Sequence, residues 1–189
     1  LKINRVIFIA LSLGVIGGAQ AQTIDQNQPI DSVYMAGFYQ GDLAQSFIQT
    51  AGDIDGAGIF TQPGVGSGSG DITISLYDNL PNAGGNLLTS GTFDNAVSNE
   101  WVDVSWSDLS ITAGSTYYLV FTSTNDSLGI GGSTANPYPN GEVYANPGYE
   151  GFPGYGYTFR TYHSDAVPEP APFAALGLGV LALVRRRRS

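Results

Sequence analysis

Between residues 44 and 163 the chain is broken at short intervals by Gly, Pro, Asn and Asp, and the runs between the breaks alternate apolar with polar residues. That pattern limits the fold more than anything else in the sequence. A helix in water needs about 12 uninterrupted residues with apolar positions three to four apart, and no such run exists outside the two ends of the chain. In Asp71–Tyr77, Ile72, Ile74 and Leu76 share one face, and Thr73, Ser75 and Tyr77 share the other. Glu100–Trp106 behaves likewise, with Val102, Val104 and Trp106 opposed to Trp101, Asp103 and Ser105. Thr116–Thr122 is apolar on both faces, as a strand at the centre of a sheet must be. Ala44–Thr50 and Gly154–His163 read as further strands, the latter closing the sheet, and Leu87–Phe93 and Glu142–Ala145 as weaker ones. Seven or more short strands separated by turns predict an all-β, jelly-roll-like β-sandwich. No internal repeat is evident.

The chain has no cysteine among its 189 residues, so disulfides, thiolate chemistry and cysteine-bound zinc are excluded. A domain without such staples depends on its hydrophobic core, with a bound cation as an added tie. Fifteen acids and a single cation, Arg160, fall between Gln22 and Val167, a net charge of −14. That body lacks the cations needed to displace counterions from phosphates, so neither nucleic acid nor an anionic lipid surface is a partner. Its acids serve solubility or attract cations.

The cations concentrate at the two ends. Lys2 and Arg5 precede an apolar run, Val6–Ile16, and Ala19-Gln20-Ala21 comes next. This is the order of a secretory signal peptide, with signal peptidase cutting after Ala21 and leaving Gln22 as the new N-terminus. Near the other end, Val167-Pro168-Glu169-Pro170 leads into the uncharged run Ala171–Val184 and then Arg185, Arg186, Arg187 and Arg188. Each proline fixes its own φ and biases its predecessor away from helix. The arginines act as a cytoplasmic stop. Fourteen residues of helix reach about 21 Å, short of a hydrocarbon core of about 30 Å, which suits a transient handle. The expected layout is a signal peptide at 1–21, an N-terminal extension at 22–43, the sandwich at 44–165 and a tail with a short transmembrane-like helix at 166–189.

The order Pro-Glu-Pro, apolar run, arginine cluster resembles the PEP-CTERM sorting signal. The resemblance implies an exosortase, an integral-membrane transpeptidase-like enzyme, that cuts near Pro168, Glu169 and Pro170. It implies an exported protein, transiently anchored in the inner membrane of a Gram-negative-type bacterium and destined for the cell surface or extracellular matrix. The succession QSF, DITISLYDN, AGSTYYLVF, YPNGEVYAN and YTFRTY also resembles the "choice-of-anchor" class of exported β-sandwich domains. That class brings no catalytic residues with it.

Chemistry-bearing motifs are sparse. His163 is the single histidine, and no serine lies in a GxSxG setting, so neither a Ser-His-Asp triad nor histidine-held zinc is supported. The acids leave open a small glycoside hydrolase with two carboxylates. Asp53-Ile54-Asp55-Gly56 resembles the start of a calcium loop, two carboxylates before a glycine turn, which makes Asp53 and Asp55 candidate ligands for a structural calcium. The glycine-rich segment Gly64–Gly70 lacks the residues of a phosphate loop and reads as a hairpin loop. Between Asn136 and Phe159, Tyr138, Tyr144, Tyr149, Phe152, Tyr155 and Tyr157 stand among Pro, Asn and Gly. Such rings either pack the edge of the sandwich or stack on sugars. Tyr138, Tyr144, Tyr149 and the outward-pointing Trp101 are the candidate stacking residues. Three functions fit these residues: a non-catalytic surface or matrix (exopolysaccharide- or biofilm-associated) protein, a carbohydrate-binding module, and the two-carboxylate hydrolase.

Overall fold

The computed structural model describes residues 22–66, 68–135 and 138–164. The signal peptide and the tail, with its Pro-Glu-Pro, apolar run and arginines, lie outside the described residues.

The described residues form two antiparallel sheets that pack into a β-sandwich. The strands are β1 (Gln22–Gln28), β2 (Val33–Gly37), β3 (Leu43–Ile48), β4 (Asp53–Pro63), β5 (Gly70–Tyr77), β6 (Leu87–Ala96) and β7 (Trp101–Ser110). They continue with β8 (Thr116–Ser123), β9 (Leu128–Ser133), β10 (Val143–Ala145), β11 (Glu150–Phe152), β12 (Gly156–Tyr157) and β13 (Phe159–Ser164). The seven-stranded sheet runs β1-β13-β4-β9-β12, with β2 also pairing β9 and β7 pairing β4. The six-stranded sheet runs β11-β10-β3-β8-β5-β6.

The alternation read in the sequence is the alternation of burial. Ile72, Ile74 and Leu76 of β5 are buried, as are Val102 and Val104 of β7. The strand apolar on both faces, β8, is central between β3 and β5. The core between the sheets is centred on Phe47, Leu119, Phe121, Tyr157 and Phe159. Phe47 lies 6.3 Å from the Tyr117 ring and 6.4 Å from Phe159, which belongs to the opposite sheet.

Three expectations are corrected. Residues 22–43 are not an extension, because β1 lines β13 and β2 lines β9. Their buried positions carry amides in place of apolar groups: Gln26 accepts from the Tyr138 hydroxyl (2.8 Å), and Gln28 donates to the Tyr157 carbonyl (3.0 Å). The segment Gly154–His163 is two strands, β12 and β13, which lie beside β9 and between β1 and β4 respectively. Gly64–Gly70 is not a hairpin loop, since it joins β4 of one sheet to β5 of the other. A Cβ at Gly64 would strike the Ser127 carbonyl, and one at Gly70 would lie 2.5 Å from Cβ of Asn125, so this crossing requires glycine.

Asp25 ties β1 to the turn after β3. Its carboxylate accepts from the Thr50 amide (2.7 Å), the Thr50 hydroxyl, the Ala51 amide (3.2 Å) and Gln26 Nε2 (2.8 Å). Burial pushes its pKa up, but the bonds from Thr50, Gln26 and Ala51 outweigh burial and hold it below the ordinary value. A carboxylate whose folded pKa is lowered adds stability that is complete above the unfolded pKa of about 3.9 and is lost as pH falls through the folded value. Asp25→Asn is therefore expected to cost about 1–2 kcal/mol at pH 7. In urea titrations the gap to the unmutated chain should close as pH falls below about 4.

Candidate functional site

Where β2 and β12 of one sheet face β10 and β11 of the other, the sandwich opens into a cleft of about 330 Å³. Tyr34, Met35, Gln40, Phe152, Tyr155 and Tyr157 are among its walls, and among the described residues no charged side chain lines it. Tyr34 comes from β2, but its ring turns to the outer face of the sheet and lies against the backbone of Gly129 on β9, where a Cβ would collide with it. Glycine in the neighbouring strand is what lets the ring lie there. Burial and a hydrogen bond with Tyr39 push the Tyr34 phenol up to about 12. Tyr157 is fully buried; its hydroxyl donates to the Tyr144 carbonyl (3.2 Å), and its amide donates to Oε1 of Gln45 (2.9 Å). Burial, and after it the nearby Tyr34 phenol, raises the Tyr157 pKa as well. Both phenols stay protonated across the physiological range, and the Tyr157 hydroxyl is already committed to the Tyr144 carbonyl.

The rim is built by a Pro-Gly turn. The Tyr155 amide donates to the Phe152 carbonyl (3.3 Å), with Pro153 second in the turn and Gly154 third at φ +92°. This is the type II arrangement, in which proline presets one position and glycine supplies the positive φ of the next. It holds Phe152 and Tyr155 with ring centroids 6.3 Å apart, and Tyr155 remains 37% exposed.

The candidate stacking residues lie elsewhere. Tyr138 is buried and bonded to Gln26 and to the Ile48 amide (3.1 Å), and its ring packs edge-on against Phe159 at 5.1 Å. Trp101 does point outward, but the Arg160 guanidinium covers its ring at 3.9 Å from the centroid, and Phe60 meets it at 5.7 Å. Arg160 is held there by Asp103, bonded through Nε (2.8 Å) and the second guanidinium nitrogen, with the Tyr162 hydroxyl donating to the same carboxylate (2.7 Å). Tyr144 lies on the outer side of the six-stranded sheet, in a row the sequence did not disclose. Tyr144 sits 5.9 Å from Tyr118, and Tyr118 pairs across strands with Tyr77. Tyr149 occupies the left-handed region (φ +55°), uncommon for a bulky residue, at the end of a second Pro-Gly turn.

Asp53 and Asp55 begin β4 on extended backbone, with no turn at Gly56. They grip the end of β13. The Ser164 amide donates to Asp53 (3.1 Å) and the Ser164 hydroxyl to Asp55 (2.6 Å). Oδ1 of Asp55 is a buried oxygen that finds no partner among the described residues. Asp108 is exposed on β7, where two extra residues bulge the ladder opposite Asp55. Desolvation and then the Asp53 carboxylate push the Asp108 pKa up. Among the described residues no group of three or more acidic or imidazole side chains is arranged to hold a metal.

β1 and β13 bring Gln22 opposite Ser164, so the start of the described body and its exit toward the tail lie side by side. Beyond that exit the chain carries a recognisable family signature. Residues 166–188 match the PEP-CTERM protein-sorting motif. This motif marks an exported protein sorted by an exosortase-type membrane enzyme. The match covers the tail and leaves the sandwich unassigned. No curated protein matches the chain.

Proposed function

We propose that the protein is a non-catalytic component of the cell surface or the extracellular polymer matrix, delivered by exosortase-type sorting. The PEP-CTERM match at residues 166–188 carries this reading. Signal peptidase frees Gln22, and the apolar run with Arg185–Arg188 holds the chain in the inner membrane of a Gram-negative-type cell. The exosortase then acts at Pro168-Glu169-Pro170 and passes the sandwich outward. A two-sheet body whose first and last strands are neighbours suits such delivery, because it can be released or attached at one corner without rearranging its core. It also suits the choice-of-anchor class, in which similar sandwiches carry different tails.

Mass spectrometry of the protein from its own host, fractionated into membrane, surface matrix and medium, tests the proposal. The expected product starts at Gln22, ends near Pro168–Pro170 and sits in the matrix or the medium. An intact chain still bearing Arg185–Arg188, in a host with active exosortase, would make the tail a plain anchor and refute the sorting reading.

A further inference from the structure

We propose that the cleft between β2 and β10–β12 binds a neutral sugar residue of a polysaccharide. The inference goes beyond delivery to the surface and rests on the cleft alone, so either can fail without the other.

Size, lining and charge support it together. A volume of about 330 Å³ lies at the small end of ligand pockets, which span about 300–1,000 Å³, and fits one ring or a chain end better than a long strand. A sugar ring has an apolar C–H face and an equator of hydroxyls. The cleft offers the Phe152 and Tyr155 rings for the first, and the Tyr155 and Thr134 hydroxyls with the Gln40 amide for the second. A purely aliphatic ligand would leave those polar groups facing hydrocarbon, which is costly. An anionic sugar meets the opposite difficulty. No cation among the described residues lines the cleft, and the body around it has a net charge of −14, so a carboxylate or sulfate would be desolvated without compensation.

The parts are also preorganised. Gln40 is fixed by the Gly37 amide (2.8 Å) and by Asn146 (3.3 Å), and the Phe152–Tyr155 turn is set by Pro153 and Gly154. Ligand binding to a fixed cleft loses little to the ordering of side chains. Position agrees. Tyr157 precedes β13 and Ser164 ends it, and a six-residue strand spans about 20 Å. The cleft therefore lies at the opposite end of that strand from Ser164, the point at which the body gives way to the tail.

Saturation-transfer NMR on the full chain in lipid nanodiscs tests this. The probes are glucose, galactose, mannose and N-acetylglucosamine with their disaccharides, and glucuronate and galacturonate as charged counterparts. At least one neutral sugar should receive saturation while neither uronate does. Tyr155→Ala, at an exposed rim position, should weaken that binding by about tenfold or more without changing the melting temperature. Tyr155→Phe, which removes the rim phenol and keeps the ring, should weaken it less. Tyr144→Ala, on the outer row, should leave it unchanged. Absence of transfer to every neutral sugar would overturn the proposal. So would equal binding of the uronates, or loss of binding in Tyr144→Ala with Tyr155→Ala unaffected, which would place the ligand on the outer face.

Discussion

A chain in which Pro168 and Pro170 are both replaced by alanine is expected to keep its tail and stay in the membrane fraction, with the tail-trimmed form abolished. The reason lies in backbone stereochemistry. Each proline locks its own φ near −65° and pushes the preceding residue toward extended conformations, so two of them around Glu169 disfavour helix. A transpeptidase-like enzyme must reach the carbonyl it attacks, which extended backbone exposes and helical backbone occupies with hydrogen bonds. The next residues, Ala171–Val184, include Ala and Leu, which are strong helix formers. With alanine at 168 and 170, each about 3 kcal/mol better in a helix than proline, the helical tendency of this run extends back through Glu169. Immunoblots of membrane, matrix and medium against the sandwich would show the effect as a mass shift and a change of compartment. Glu169→Gln, which keeps both prolines, separates the contribution of charge from that of backbone. Secretion of a normally trimmed double-alanine chain would show that the enzyme reads neither proline.

What the sequence made visible divides along physical lines. β5 and β8 were legible because their side chains do the packing: Ile72, Ile74 and Leu76 alternate, and Tyr117, Leu119 and Phe121 fill the inner face of a central strand. β1, β4 and β9 were not, because their faces are completed by other parts of the chain. In β1 the buried positions are Gln26 and Gln28, amides that look solvent-facing until their partners Tyr138 and Tyr157 are seen. In β4 and β9 the outward positions are glycines beneath neighbours: a Cβ at Gly58 would strike Asp103, and one at Gly129 would strike Tyr34. A glycine that ends a D-x-D-G run therefore looked like a turn and proved to be strand. The same logic hid part of the cleft. Phe152, Tyr155 and Tyr157 stood out in an aromatic, Pro-Gly-rich stretch, but nothing marked Met35 or Gln40, more than a hundred residues earlier, as facing them. Trp101 alternates with the buried Val102 along β7, yet no local pattern could show that Arg160 arrives from β13 to cover it.

Phe47→Ala is expected to remove about 3–5 kcal/mol of folding stability. The ring is fully buried on β3 and is shared between the two sheets, touching Tyr117 on its own and Phe159 on the other. Phe159 in turn packs edge-on with Tyr138, whose hydroxyl is fixed by Gln26 and by the Ile48 amide, one residue from Phe47. Neighbours fixed by such bonds, on strands already hydrogen-bonded to both sides, cannot collapse far into the space, so most of the cavity remains and the cost falls toward the upper end of the range. A domain of this size has about 5–15 kcal/mol in total and here no disulfide to limit the unfolded chain. With a urea dependence of about 2 kcal/mol per M, the unfolding midpoint should fall by about 1.5–2.5 M. Phe47→Leu, which keeps much of the volume, should recover more than half of that loss. If Phe47→Ala shifted the midpoint by less than about 0.5 M, the two sheets would not be held together at this point. The aromatic cluster could not then be the centre of the sandwich.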